Sequence, residues 1–378
     1  MPYWRLSGFY LFYFAALGVL VPYWGLYLQS LGFTPIQIGS LMALLMLSRI
    51  VAPLVWGWIA DHREQRMRVA RLACLLAVLS FTGVFAGSTF VWLAVVMTVF
   101  SFFWHASLPL VEVATLSHTA ERPGEYGRVR LWGSIGFIVA VLALGPIVDH
   151  HGPFWVLPAT TFLMTGIWAF SLMLPEAGQG RGVESPDSFR RTVMRPEVFG
   201  FLAACFLMQA SHGPYYTFYS IYLDGYGYSK TVIGGLWAFG VICEIGVFLM
   251  MPFLLARFDL RQVLLTSFLL ASVRWLLIAF FPNEPVLLTL AQLLHAATFG
   301  AFHAVAIQMV YRFFTGRHRH RGQAVYGSAS FGIGGAVGGY LSGYGWEVLG
   351  STLTYGLAAI LPLAAWLVGW RLLRPGRA

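Results

Sequence analysis

The chain has 378 residues, of which 58% are hydrophobic and 10% charged, and its formal net charge is +9. Soluble domains carry about 25% charged residues, so a soluble fold of this composition could not cover its own surface, and lipid is the expected solvent. The positive charge does not indicate a nucleic-acid partner, because basic residues in short loops set the topology of membrane proteins. Neither a metal nor another cofactor is expected, because the three cysteines are scattered without metal-binding spacing: Cys74, Cys205 and Cys243.

Apolar segments recur along the whole chain, and each is long enough to cross a bilayer, which needs about 20 residues. Twelve such segments are predicted: 5–28, 36–60, 69–88, 90–116, 130–149, 153–174, 198–223, 231–255, 262–281, 286–314, 323–345 and 347–370. A β-barrel is excluded because the apolar runs are too long and do not alternate with period two. We therefore predict an all-α integral membrane protein of about twelve transmembrane helices in two six-helix bundles. The predicted bounds are residues 1–174 for the first bundle, 175–197 for a cytoplasmic linker and 198–378 for the second bundle.

The arginines indicate the orientation of these spans. If the N-terminus is cytoplasmic, nearly all basic loop residues face the cytoplasm, and the opposite loops hold only Lys230, the one lysine of the chain. Cytoplasmic loops of membrane proteins carry this excess of basic residues. The pattern predicts a multi-pass membrane protein with both termini cytoplasmic.

Few charged residues lie deep inside the predicted spans. They are Arg49, Glu112, Glu244 and Arg274, with Arg130 at the mouth of the fifth span. A charge in hydrocarbon costs several kcal/mol, so each one indicates a functional site. Structural salt bridges remain the alternative interpretation.

Polar aromatic and histidine side chains accompany these charges. His212 and Tyr216 share a stripe of the seventh span, and His295 and His303 share a face of the tenth. Membrane histidines often only stabilise packing, yet several of them beside carboxylates favour a wet cavity that can move protons.

The loop after the second span carries a recognisable pattern. It reads Gly57-Trp-Ile-Ala-Asp61-His-Arg63 and resembles the loop signature of the major facilitator superfamily, whose six-plus-six plan the chain also matches. Glu64 and Gln65 stand where that signature usually has glycine and arginine. The resemblance implies a role in gating for Gly57, Asp61 and Arg63.

Within that superfamily, the chain resembles the lactose permease and 3-phenylpropionate transporter group. The run from Gly127 to Phe137 is similar to the permease pattern G-R-x-R-x-x-G-x-x-G-W, and Glu112 precedes Arg130 at the spacing of the sugar-binding pair of the permease. Ser272-Val273-Arg274, Glu244 and His295 match further permease positions. Thr298 and Gln292 replace two charged permease residues, and Phe137 replaces the sugar-stacking tryptophan. Arg49 and the run 294–303 look instead like the 3-phenylpropionate branch.

The resemblance implies a secondary active transporter that works by alternating access, with no enzymatic activity. We expect proton symport of a small organic solute, such as the aromatic carboxylate 3-phenylpropionate. The expected substrate-binding residues are Arg49, Glu112, Arg130, His212, Tyr216 and Arg274, and the expected proton-coupling residues are Glu244, His295 and His303. The alternatives are a sugar or nucleoside symporter, a drug or metabolite exporter of the same fold and, less favoured, an intramembrane enzyme or receptor. The expected partners are the solute, protons and the lipid bilayer. The expected location is the inner (plasma) membrane of a bacterial cell, and the expected state is a monomer.

Overall fold

The computed structural model describes residues 2–63, 65–119, 123–176, 188–316 and 318–374, without the side chains of residues 61, 63 and 123. The described residues form helices and contain no strand. The helices are α1 Tyr3–Ser30, α2 Pro35–Arg63, α3 Arg66–Phe81, α4 Phe90–Thr119, α5 Pro123–His151, α6 Val156–Leu172, α7 Phe189–Val193, α8 Pro196–Ser211, α9 Gly213–Gly225, α10 Lys230–Leu255, α11 Leu260–Phe280, α12 Pro285–His295, α13 Phe302–Phe313, α14 His318–Gly327, α15 Gly335–Leu349, α16 Ser351–Ala358 and α17 Ile360–Leu372. Two π-helical turns occur, Ala296–Ala301 between α12 and α13 and Ser328–Gly334 between α14 and α15.

Ten helical stretches of the described residues are long and apolar enough to cross a membrane. They correspond to ten of the predicted spans and confirm the all-α membrane fold. The remaining two spans, predicted at 198–223 and 323–345, are each built from shorter pieces. The seventh is divided into α8 and α9, and the eleventh into α14, a π-helical turn and α15.

The division of the seventh span has a local cause. Gly213 opens α9 and is followed by Pro214, which has no backbone N–H to donate to the preceding turn. A Cβ at Gly213 would meet the backbone of Gly338 in α15, so only glycine permits this close approach of the two helices.

The chain divides into two compact units. The first contains residues 1–180 together with 219–238, and the second contains residues 181–218 together with 239–378. Segment 219–238 comprises the end of α9 and the start of α10, so the sequence places it in the second half while its contacts place it in the first unit.

The first unit is held by close helix packing. A Cβ at Gly18 of α1 would lie 2.7 Å from the carbonyl oxygen of Phe137 in α5, and one at Gly136 would meet the backbone of Leu11. Small residues at such positions let membrane helices approach closely and gain dispersion energy. The same unit exposes large apolar side chains such as Leu54 and Phe162, as expected for a lipid-facing surface.

The second unit has a continuous apolar core. Phe201 of α8, Phe268 of α11, Phe302 and Val310 of α13 and Ala365 of α17 are fully buried in it. This core fixes the positions of α11 and α13, which flank the polar side chains described below.

Candidate functional site

Glu112 lies at the centre of a polar group in the first unit. Its carboxylate accepts a hydrogen bond from Tyr10 of α1 at 3.2 Å and a second, very short one from Tyr126 of α5. The hydroxyl oxygen of Tyr10 also lies 3.2 Å from that of Thr115, one turn further along α4. Side chains of α1 and α5 therefore hold this carboxylate of α4, and their hydroxyl donors compensate its removal from water.

Arg130 of α5 belongs to the same group. Its guanidinium lies over the ring of Phe14 at 4.5 Å and the ring of Tyr10 at 5.2 Å, a cation–π arrangement. It also interacts electrostatically with Glu112 and with the hydroxyl of Tyr126. Glu112 and Arg130 are therefore close neighbours, as the permease resemblance implies, and both are half-buried.

Arg49 of α2 forms a second polar group in the first unit. Its Nε donates to Nε2 of His105 in α4 at 3.2 Å, while Nδ1 of that imidazole lies 2.6 Å from the hydroxyl of Ser48. His105 stacks on Trp104, and Trp104 lies against Tyr13 of α1. Arg49 is half-buried, so part of its side chain remains accessible.

Arg274 of α11 is completely buried in the second unit. Its Nε donates to the carbonyl oxygen of Ala291 at 2.9 Å, and its terminal nitrogens reach the hydroxyl of Thr298 at 3.3 Å and Oε1 of Gln292 at 3.5 Å. The guanidinium also lies 4.1 Å from the centre of the Tyr215 ring. These partners are neutral, and three of them belong to the tenth span, so Arg274 fastens that span to α11.

Several nitrogen atoms around Arg274 lack a partner. Nε2 of Gln292, Nδ1 of His295 and Nε2 of His212 are buried without a hydrogen-bond partner among the described residues. His212 uses its other nitrogen to contact the carbonyl oxygen of Met208 at 2.8 Å, and Tyr216 stacks on its ring. Unpaired buried polar groups are rare in native proteins, and each calls for an explanation such as a catalytic role, an ordered water or an ion.

Glu244 of α10 approaches His295 in the same unit. One carboxylate oxygen lies 3.6 Å from Nε2 of the imidazole, and Glu244 remains partly exposed. A Cβ at Gly300 would lie only 2.9 Å from Cγ of Glu244, so glycine at this position makes room for the carboxylate.

A column of rings continues along the tenth span. Phe299 stacks in parallel on His295, and His303 stacks on Phe299 at a centroid distance of 6.1 Å. Nδ1 of His303 lies 3.2 Å from the hydroxyl of Tyr326. His295 and His303 share one face of the span, as predicted, and the π-helical turn between them carries the ring that joins them. Such turns occur frequently at functional sites.

The remaining expected residues lie in α2. Gly57 has open space where a Cβ would be added. The side chains of Asp61 and Arg63 lie outside the described part of the molecule, so their expected gating role stays a prediction. No group of three or more His, Cys, Asp or Glu side chains among the described residues could hold a metal ion.

Several members of the polar and aromatic groups around Glu112, Arg49 and His295 are not among the residues predicted from the sequence, namely Tyr10, Thr115, Tyr126, Ser48 and Phe299. Tyr126 precedes Arg130 by one helical turn, so the two share a face of α5, and this spacing could have indicated the contact. Tyr10 gave no such signal, because only the packing of α1 against α4 and α5 brings it to Glu112.

Comparisons with known proteins agree with this architecture. The model of the MFS_1 like family matches residues 3–357. The chain is 28% identical over 360 residues to the Escherichia coli (strain K12) protein named "Probable 3-phenylpropionic acid transporter", covering 94% of each chain. It is 28% identical over 341 residues to the maltose permease of Geobacillus stearothermophilus, covering 88% of this chain and 86% of the permease. Among solved structures, the nucleoside transporter NupG matches with a TM-score of 0.83 at 17% identity, covering 98% of this chain and 99% of NupG, a likeness of fold alone.

The fold and these matches define a membrane transporter of the major facilitator type and not an enzyme. The chain belongs to the MFS_1 like family.

Proposed function

We propose that this transporter carries out proton symport of a small organic anion by alternating access, and that aromatic carboxylates such as 3-phenylpropionate are its substrate class. The observation that carries the proposal is a set of charged groups beside polar aromatic partners in each unit. Half-buried arginines lie beside aromatic rings in the first unit, and a partly exposed carboxylate lies beside a histidine in the second.

Arg49 and Arg130 are the proposed anion ligands. Both are half-buried, so an anion can reach them, and an arginine binds a carboxylate through two parallel hydrogen bonds. Tyr13 is within electrostatic reach of both arginines and contacts Trp104, which favours an aromatic ring as the substrate body. Glu112 then serves to orient Arg130.

Arg274 and His212 act indirectly in this proposal, through neighbouring side chains of the second unit, because neither of them is exposed. Arg274 holds Gln292 and Thr298 in place, and His212 supports the ring of Tyr216, which is itself half-buried and accessible to a solute.

Glu244 is the proposed proton carrier. A carboxylic acid in an apolar site can take up a proton from one side of the membrane and release it when its surroundings change. His295 lies beside it and can exchange that proton with it. Phe299 separates His295 from His303 and carries no exchangeable proton, so transfer onward to His303 and the hydroxyl of Tyr326 would need water between the two histidines.

The location, the orientation, the gating residues and the oligomeric state complete the proposal. The arginine distribution supports an orientation with both termini in the cytoplasm, and the bacterial relatives support an inner-membrane location. As the family resemblance implies, Gly57, Asp61 and Arg63 would act in gating, and the transporter would function as a monomer.

A sugar is the second candidate substrate, because one observation favours it. Glu112 already accepts hydrogen bonds from the hydroxyl groups of Tyr10 and Tyr126, and sugar hydroxyls could take the place of such donors.

Uptake by purified protein in proteoliposomes separates these candidates. Labelled 3-phenylpropionate, maltose and a nucleoside would each be offered with an inward proton gradient and with the gradient collapsed by a protonophore. The proposal expects gradient-dependent accumulation of 3-phenylpropionate. Gradient-dependent accumulation of maltose alone would replace it with the second candidate, and efflux driven by an exchanged proton would make the protein an exporter.

A further inference from the structure

An arginine cluster lies at one end of the second unit, where α10 ends, α11 begins and α17 ends. It consists of Arg257 in the turn between α10 and α11, Arg261 in the first turn of α11 and Arg371 in the last turn of α17. Arg261 joins two of these helices, because one of its terminal nitrogens donates to the carbonyl oxygen of Trp370 at 2.7 Å. The two helices pack closely here, since a Cβ at Gly369 of α17 would lie only 3.0 Å from a side-chain atom of α11.

The carboxylates at this end do not neutralise the arginine cluster. Among the described residues of the second unit, Asp259 and Glu197 lie at this end, and each is engaged by backbone. Asp259 accepts an N–H of the first turn of α11 at 2.7 Å, and Glu197 accepts the N–H of Arg374 at 3.4 Å. No ion pair of the described residues joins the cluster to a carboxylate. Because Arg257 and Arg371 are exposed, a negatively charged group from outside the chain can reach them.

Exposed aromatic and apolar side chains border the cluster on the side of the hydrocarbon. Arg257 lies 4.2 Å from the centre of the ring of Phe253, which is exposed in the last turn of α10. On α17, Trp370 is exposed and stacks in parallel on Trp366 at a centroid distance of 6.0 Å. Tryptophan lies at the level of the lipid headgroups at membrane interfaces. The surface therefore offers positive charge at headgroup level and apolar contacts just below it.

We propose that the arginine cluster, with Phe253 and Trp370, is a binding site for an anionic phospholipid. The guanidinium groups bind the headgroup phosphate, which matches their planar arrangement of donors, and the acyl chains lie against the exposed rings. Basic residues next to membrane spans recognise anionic lipids in this way. A soluble phosphate would use the arginines alone and leave the rings uncovered, so a lipid fits the whole surface. The lipid is a partner beyond the proposed transport, and its binding requires no solute.

The first unit offers a matched control for this site. Basic residues at this end also satisfy the rule that sets topology, but that rule depends on charge and not on a particular position. Arg68 and Arg128 are exposed at helix ends that the proposed orientation places on the same side of the membrane. Arg257→Gln with Arg371→Gln and Arg68→Gln with Arg128→Gln therefore remove the same charge from exposed positions, and only the first pair belongs to the cluster.

Native mass spectrometry of the full chain, released from detergent micelles, counts bound lipids directly. Phosphatidylglycerol would be titrated into the parent and into both double variants, with phosphatidylcholine as the zwitterionic comparison. We expect the parent to bind its first phosphatidylglycerol at least about tenfold more tightly than phosphatidylcholine. Arg257→Gln with Arg371→Gln should weaken phosphatidylglycerol binding about thirtyfold, the effect of two arginines at a membrane surface. The control pair should weaken it less than about threefold.

Equal weakening by the two pairs of substitutions would overturn the site, because it would reveal attraction to the overall positive charge. Unchanged phosphatidylglycerol binding in Arg257→Gln with Arg371→Gln, at a melting temperature equal to that of the parent, would overturn it as well. Equal affinity of the parent for the two lipids would show that the headgroup charge is not recognised. Inorganic phosphate at the concentration of the lipid should not displace phosphatidylglycerol, and displacement would replace the lipid site with a site for a soluble anion.

Discussion

The carboxylate of Glu244 lies 3.6 Å from His295 and is partly exposed. It is the proposed proton carrier. Glu244→Gln should lower gradient-driven uptake at least about tenfold, because an amide cannot carry a proton across. Exchange of labelled for unlabelled solute at equal pH should persist. Uptake kinetics in proteoliposomes measure both quantities. Glu284→Gln, at an exposed position before α12, is the control that should behave like the parent; equal losses in the two variants would remove Glu244 from its role.

Arg130 is a proposed ligand of the substrate carboxylate. Arg130→Met removes the charge while keeping an apolar side chain against Phe14, and the loss of a charge-assisted hydrogen bond should raise the KM for 3-phenylpropionate about tenfold or more. Arg128→Met is the control: it removes a charge from an exposed position two residues before Arg130 and should leave the KM within about twofold. A KM that is insensitive to Arg130→Met would refute the assignment.

At the scale of the elements, the π-helical turn Ala296–Ala301 brings Gly300 against Glu244. Gly300→Ala should push the carboxylate away from His295 and reduce gradient-driven uptake, because the added Cβ would lie 2.9 Å from Cγ of Glu244. Gly246→Ala, in α10 where a Cβ meets nothing, is the matched change and should have little effect. Uptake rates of the two variants would be measured at matched protein content. Equal rates would contradict the claim that Gly300 makes room for the carboxylate of Glu244.

The packing of α1 on α5 gives a prediction about stability. A Cβ at Gly136 would run into the backbone of Leu11, so Gly136→Ala should destabilise the fold by about 1–3 kcal/mol, as overpacking does. Gly127→Ala lies in the same helix with open space around it and should not destabilise. Thermal unfolding in detergent, followed by tryptophan fluorescence, compares the two variants. Similar melting temperatures would show that α1 can shift to accommodate the added methyl group.

For the whole molecule, the sequence predicted the fold well because lipid imposes a simple rule: each span needs a long apolar run. It did not predict that the seventh and eleventh spans are built from pieces, because π-helical turns and the break before Gly213 leave the apolar run intact. The charged residues of the candidate site were also visible, since few charges interrupt the spans. Their partners were not, because Tyr10 meets Glu112 only through contacts between helices far apart in sequence.

The central claim is that solute and proton move together, and proton flux induced by the solute tests it most directly. Proteoliposomes in weakly buffered medium would receive 3-phenylpropionate with no imposed gradient while the external pH is recorded. If solute and proton do move together, the medium becomes more alkaline as the solute enters, and Glu244→Gln abolishes this signal. Entry of the solute without any change in external pH would contradict it.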